Sequence, residues 1–218
     1  MESSNASPAT PLSAISAQTL LSSPASPPSS HRSAPTRPYQ SSSTSSPKNS
    51  WHMTVLGGIH GDKVTLGKRA PEFEGQSLEA VTEGFSQKLR QLGLELEQQG
   101  LAPPYKMRIR RFNGAKFFIG LQVEGATAEE EKRVRLLRDR LADALGLRLP
   151  NDDTYGSHIT VAYLMRYIEG KDRKMLNALF EKHLSEVQLK FELGAVEFCT
   201  YENMYAFARL FCLGESQD

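Results

Sequence analysis

The spacing of apolar residues changes along this chain in a regular order. In L-E-A-V-T-E-G-F-S-Q-K-L-R-Q-L-G-L-E-L they fall at Leu78, Val81, Phe85, Leu89, Leu92 and Leu96. Steps of three and four are the period of one helix face, so the stretch predicts an amphipathic helix. A second helix is predicted from Thr127 to about Leu145. T-A-E-E opens it, a capping pattern in which a threonine oxygen serves the first free backbone N–H groups, and Gly146 closes it. A third helix covers about Asp172 to Val187. The text between reads as strands: His52 to Leu56, Met107 to Asn113, Lys116 to Val123, Ser157 to Met165, Gln188 to Cys199 and Met204 to Leu213. Asn113-Gly114 supplies the positive φ of a tight hairpin turn, and Glu202-Asn203 marks the turn of the last pair.

Strand, helix, hairpin, helix, strand, helix, hairpin is an order whose first half resembles its second. With short connections it predicts an α+β fold of two similar lobes, their antiparallel sheets facing across a cleft and their helices on the outside. Composition changes the picture only at the start. Up to about Ser50 the chain is dominated by Ser, Pro, Thr and Ala, as in P-A-S-P-P-S-S, with few large aliphatic side chains. Such text cannot bury enough apolar surface to offset the entropy of ordering it. The expected division is a disordered tail over residues 1–50 and a folded unit over residues 51–218 of the 218-residue chain.

The formal net charge of +1 gives no field for a DNA duplex or an anionic membrane, so any nucleic-acid contact has to be local. No apolar run approaches the roughly 20 residues that span a bilayer, and the start lacks the basic-then-apolar layout of a secretory signal. Arg32 and Arg37 are few and late for a transit peptide, so the expectation is an intracellular protein, cytoplasmic or nuclear, with organelle targeting by the tail left open; a monomer is expected. Cys199 and Cys212 make no disulfide framework and lack metal-ligand spacing; both read as buried thiols.

The candidate chemistry lies in a repeat. W-H-M-T-V-L at 51–56 and S-H-I-T-V-A-Y at 157–163 both write His-x-Thr-Val at the start of a strand. Strand side chains alternate faces, so His52 and Thr54 project together, as do His158 and Thr160, while Met53, Val55, Ile159 and Val161 project the other way. Facing lobes would bring both pairs to one cleft. Two imidazoles and two hydroxyls suit an anionic phosphodiester. One neutral His takes a proton from water, a protonated His on the other side gives one to the departing ribose oxygen, and the threonines donate to the non-bridging oxygens. An imidazole titrates ordinarily near 6.5, which makes both forms accessible. The chemistry needs no metal or other cofactor.

These two motifs resemble the paired H-x-[ST]-x signature of the two-histidine phosphoesterase superfamily, which includes the RNA 2′,3′-cyclic phosphodiesterases once named 2′-5′ RNA ligases. More narrowly, H-M-T-V followed by two glycines, and H-I-T-V-A-Y, resemble an RNA ligase and cyclic nucleotide phosphodiesterase-like branch found in fungi and bacteria. The resemblance covers the folded part. It implies a metal-independent hydrolase of a 2′,3′-cyclic phosphate at an RNA end or on a small cyclic nucleotide. His52 and His158 take the acid and base roles in it, and Thr54 and Thr160 bind the phosphate. A non-catalytic RNA-end binding module and a 3′ exonuclease using the same histidines are the alternatives.

Five further residues are candidate substrate contacts. Arg108 and Arg110 share a strand face with Lys116 across the turn, where they steer an RNA terminus or form a solvated edge. Tyr155 and Trp51, close to the two histidines, stack on a base or pack. Arg209 shares a face with Tyr205 and Phe207 and looks into the cleft or lies at the rim. A regular strand puts Tyr163 on the face opposite Thr160. G-G-I-H-G-D-K lacks phosphate-loop spacing, and His183 falls on a charged helix where a solvated face is the default.

Overall fold

The computed structural model describes residues 12–18, 43–45, 51–59, 73–114, 118–148, 154–184, 190–203 and 206–215. Their elements, in chain order, are β1 (Leu12–Gln18), β2 (Ser43–Ser45), β3 (His52–Leu56), α1 (Leu78–Leu96), β4 (Tyr105–Gly114), β5 (Phe118–Gly125), α2 (Ala128–Leu145), β6 (His158–Leu164), α3 (Gly170–Leu184), β7 (Lys190–Leu193), β8 (Val196–Asn203) and β9 (Ala206–Cys212). The fold is α+β, as the alternation predicts.

Both long helices form for the reasons visible in their text. Ser77 caps α1 by accepting from Ala80 N at 3.2 Å, and the predicted stripe of Val81, Phe85, Leu89, Leu92 and Leu96 is buried. Thr127 accepts from Glu130 N at 3.2 Å, and Gly146 ends α2 at φ 66°, where a Cβ would be strained. The capping box itself is half made: the Glu130 carboxylate accepts instead from Lys106 N at 3.0 Å, which ties the helix to β4. Leu137, Leu141 and Leu145 join the α1 stripe and the inner residues of β3 to β9 in one core. Truncating a fully buried member such as Leu89 or Leu141 to Ala would cost about 2–5 kcal/mol. No helix among the described residues is long and apolar enough to cross a membrane.

The strands pair antiparallel in one hydrogen-bonded path, β7-β4-β5-β6-β3-β1-β8-β9, with β2 added to β6. The two halves predicted from the sequence therefore do not form one lobe each but interleave in one sheet: β7 and β6 of the second flank β4 and β5 of the first, and β3 of the first joins β8 and β9 of the second through β1. That sheet has to curl. β7 and β8 stand six steps apart in the path, which is about 29 Å in a flat sheet. Yet only Gly194 and Ala195 join them, a link spanning at most about 11 Å.

The same link corrects the reading of Gln188 to Cys199 as one strand. The apolar run is continuous, but it breaks at Gly194 into β7, which pairs with β4, and β8, which pairs with β1 and β9. The first fifty residues also contribute strands where a tail was expected. β1 lies between β3 and β8, and β2 lies against the far end of β6. L-S-A-I-S-A-Q has little to bury; what holds it is a partner on each edge. The hairpin turn with Lys116, the end of the third predicted helix, and Tyr205 fall outside the described residues.

Candidate active site

The two His-x-Thr strands are neighbours in the sheet. β3 and β6 run antiparallel with Met53 opposite Ile159, and both of these are buried against the helices. Alternation then puts His52 and Thr54, with His158 and Thr160, on the other face, where all four are half-buried. One step either side of the Met53 and Ile159 pair, His52 faces Thr160 and Thr54 faces His158. Each imidazole thus has the other strand's threonine beside it. The imidazoles occupy a diagonal, for which about 7–8 Å is usual between backbones on adjacent strands. That gap is the size of a phosphate group.

The rung through His158 extends outward. Gln122 on β5 lies opposite His158, and Arg111 on β4 lies opposite Gln122. Arg111 Nε donates to Gln122 Oε1 at 2.5 Å, which fixes the amide with its NH₂ as the free donor. His158 Nδ1 is 3.4 Å from the Gly156 carbonyl; a proton there leaves Nε2 for substrate. Phe118 stacks on His158 with centroids 5.3 Å apart and planes at 23°. Gly120 makes that possible: a Cβ there would sit 2.9 Å from the Ile159 carbonyl and 3.2 Å from the Phe118 ring.

Around His52 the neighbours come from further away. Phe207 on β9 reaches it with centroids 3.9 Å apart, and Tyr201 stacks on Phe207 at 5.1 Å. β9 is three strands from β3, about 14 Å in a flat sheet, so the sheet curls toward this face. Arg209, two residues on from Phe207, shares that face and donates Nη1 to the buried Glu197 carboxylate at 3.0 Å. Cys199 is buried, as read, and lies 3.9 Å from the same carboxylate. Cys212 is only half-buried; desolvation pushes its thiol up, with Arg209 opposing.

The remaining candidates have defined places. Tyr155 donates its hydroxyl to the Thr54 carbonyl at 2.8 Å, and the Arg138 guanidinium covers its ring at 3.8 Å. Trp51 packs against the core. Arg108 Nη2 and Arg110 Nη1 both pair with Glu124, at 2.5 and 3.5 Å. Two of the bulges bear on this side of the site and escaped the sequence reading, because an extra residue in one strand leaves no mark in composition. The one at Arg110 turns Arg111 toward Gln122. The one at Val161 pairs Tyr163 with Phe118, so Tyr163 shares the face of Thr160 instead of opposing it. Phe118, Gln122, Arg111 and Phe207 are the site neighbours that the sequence did not single out. Of these Phe207 had a signal in its shared face with Arg209, and Phe118 in the F-I-G where a glycine follows at the same-face position.

Residues 26–117 match the family described as 2H-phosphodiest, a domain of unknown function (DUF1868). That stretch contains the first His-x-Thr strand and not the second. No curated protein matches the chain. A conserved protein of unknown function from Agrobacterium tumefaciens str. C58 has a similar structure, with a TM-score of 0.72 at 22% identity over 93% of this chain and 85% of that one. A Thermus thermophilus protein and a phosphoesterase are looser likenesses, each with a TM-score of 0.46, at 14% and 9% identity over 94% of this chain and 100% of theirs. The Agrobacterium structure shares the fold, and the family match supports the two-histidine phosphoesterase superfamily and, with it, a phosphodiesterase type of activity.

Proposed function

We propose that the protein hydrolyses a 2′,3′-cyclic phosphate, at an RNA end or on a small cyclic nucleotide, with His52 and His158 as its acid and base. The observation that carries this reading is the Met53 and Ile159 pairing, which sets both imidazoles and both threonines on one face of adjacent strands. Water attacks phosphorus as one imidazole takes its proton. The bond from phosphorus to a ribose oxygen breaks on the opposite side, and the other imidazole, protonated, gives that oxygen its proton. Thr54 and Thr160 donate to the non-bridging oxygens, where charge grows in the transition state. Arg209, held by Glu197, offers guanidinium N–H groups on the His52 side of the cleft. The residues given roles here all fall within 51–218, and no metal takes part in this reading.

The test is product formation from a panel of 2′,3′-cyclic phosphates, mononucleotide and oligonucleotide, with His52→Ala and His158→Ala beside the wild type. Each variant is expected to lose about 10²–10⁴-fold in kcat, the usual worth of a general acid or base. EDTA is expected to leave the rate unchanged. A protein that shifts the oligonucleotide and never converts it is a binding module. Products shortened from the 3′ end identify an exonuclease, and loss of activity in EDTA removes the metal-free mechanism.

A further inference from the structure

The two strands that carry the histidines are barely zipped to one another. Among the described residues β3 and β6 share a single register pair, Met53 opposite Ile159. By contrast β6 is paired with β5 from Phe118 to Gln122, and β3 with β1 from Ile15 to Gln18. One rung leaves the separation of the strands free to breathe, because the gap can widen on either side without breaking a ladder.

What crosses the gap is side chain. Tyr155, three residues before His158, sends its hydroxyl to the Thr54 carbonyl at 2.8 Å. Arg138, buried on α2, donates Nη1 to the Val55 carbonyl. Val55 is the extra residue of the bulge where β3 pairs with β1, so its carbonyl draws its partner from outside the ladder. The Arg138 guanidinium lies 3.8 Å over the Tyr155 ring, which joins the two contacts into one unit. Burial pushes the Tyr155 hydroxyl up, so it remains a donor through the neutral range. Two successive carbonyls of the first motif strand are thus held, one by the approach to the second motif and one by the helix behind both.

We propose that Arg138 and Tyr155 are positioning residues that fix the distance between the two His-x-Thr strands, and with it the spacing of the imidazoles across the phosphate. The proposal rests on the cyclic-phosphate reading. The pair acts through the backbone of β3, and an error of about 1 Å in such geometry costs on the order of 10²-fold in rate. A device of this kind affects turnover more than binding, since a substrate still enters a cleft whose imidazoles are slightly misaligned.

Tyr155→Phe keeps the ring and removes the hydroxyl. Its kcat on a 2′,3′-cyclic nucleotide is expected to fall about 10- to 100-fold with KM nearly unchanged and Tm close to wild type. Amide exchange across β3 is expected to quicken, while that of α1 stays as it was. Arg138→Lys, which keeps a donor, is expected to retain more kcat than Arg138→Met. Wild-type kcat together with wild-type exchange in Tyr155→Phe overturns the proposal. So does a loss of kcat that follows the loss of Tm across all three variants, which reduces the pair to ordinary packing. If the wild type turns over no cyclic phosphate, the enzymatic reading falls by itself. Faster β3 exchange in Tyr155→Phe then still supports the clamp, and unchanged exchange still overturns it.

Discussion

The two histidines sit on equivalent strands and are built in by different means. His158 gets its surroundings locally. Its strand is paired along β5, its ring is stacked by Phe118 from that neighbouring strand, and Gln122 and Arg111 continue its rung outward. His52 gets its surroundings from the curl of the sheet. Phe207 reaches it from β9, past β1 and β8, and Arg209 on that side is fixed to a carboxylate of β8. A duplicated strand order therefore does not deliver two equal environments. The His158 side depends on register, and the His52 side depends on the shape of the whole sheet.

The largest effect that can break this comparison is the loss of either imidazole. His52→Ala and His158→Ala are each expected to cost about 10²–10⁴-fold in kcat, and the double variant little more than the worse single one, because groups acting in one step are not additive. A multiplicative loss in the double variant would show that the two act in separate steps. The halves would then not share one phosphate.

Gly120→Ala comes next and strikes one side only. The new Cβ would meet the Ile159 carbonyl at 2.9 Å and the Phe118 ring at 3.2 Å, so β5 must part from β6 or Phe118 must leave His158. The cost expected in an unfolding titration is about 1–3 kcal/mol, as for other overpacked sites. If instead Phe207→Leu destabilises as much as Gly120→Ala, the His52 side is as tightly fitted as the other, and the contrast between register and curl fails.

How far such features could be read from the text follows the same divide. Helix α1 was legible because a period of three and four is a local property, and α2 because its caps, Thr127 and Gly146, act within one turn. Both His-x-Thr strands were legible as strands, and alternation alone put each His with its Thr. That β3 and β6 lie side by side is non-local and needed the coordinates. So did β1, whose seven residues carry one leucine and one isoleucine and owe their place to edges on both sides. The bulges at Arg110 and Val161 decided which neighbours face the site, and they depend on pairing counts that one strand does not contain. The break at Gly194 had a signal, a glycine inside an apolar run, that continuous hydrophobicity outweighed.

The smallest effects expected belong to the outlying arginines, and they separate the sides by substrate. Arg111 is exposed and acts on Gln122, which stands beside His158; Arg111→Ala frees the amide to flip and is expected to raise KM about threefold for mononucleotide and oligonucleotide alike. Arg209 shares the face of Phe207, the ring that meets His52, and its expected role is to meet a phosphate next to the reacting one. Replacing it alone leaves the Glu197 carboxylate buried without its cation, so the informative variant is the double change of Arg209→Gln with Glu197→Gln, which removes both charges together. That variant is expected to raise KM for an oligonucleotide about threefold, to leave the mononucleotide unaffected, and to shallow the salt dependence of oligonucleotide binding by about one phosphate contact. An equal rise for both substrates would mean that Arg209 serves the reacting phosphate itself. The His52 side would then be as local in its chemistry as the His158 side is in its structure.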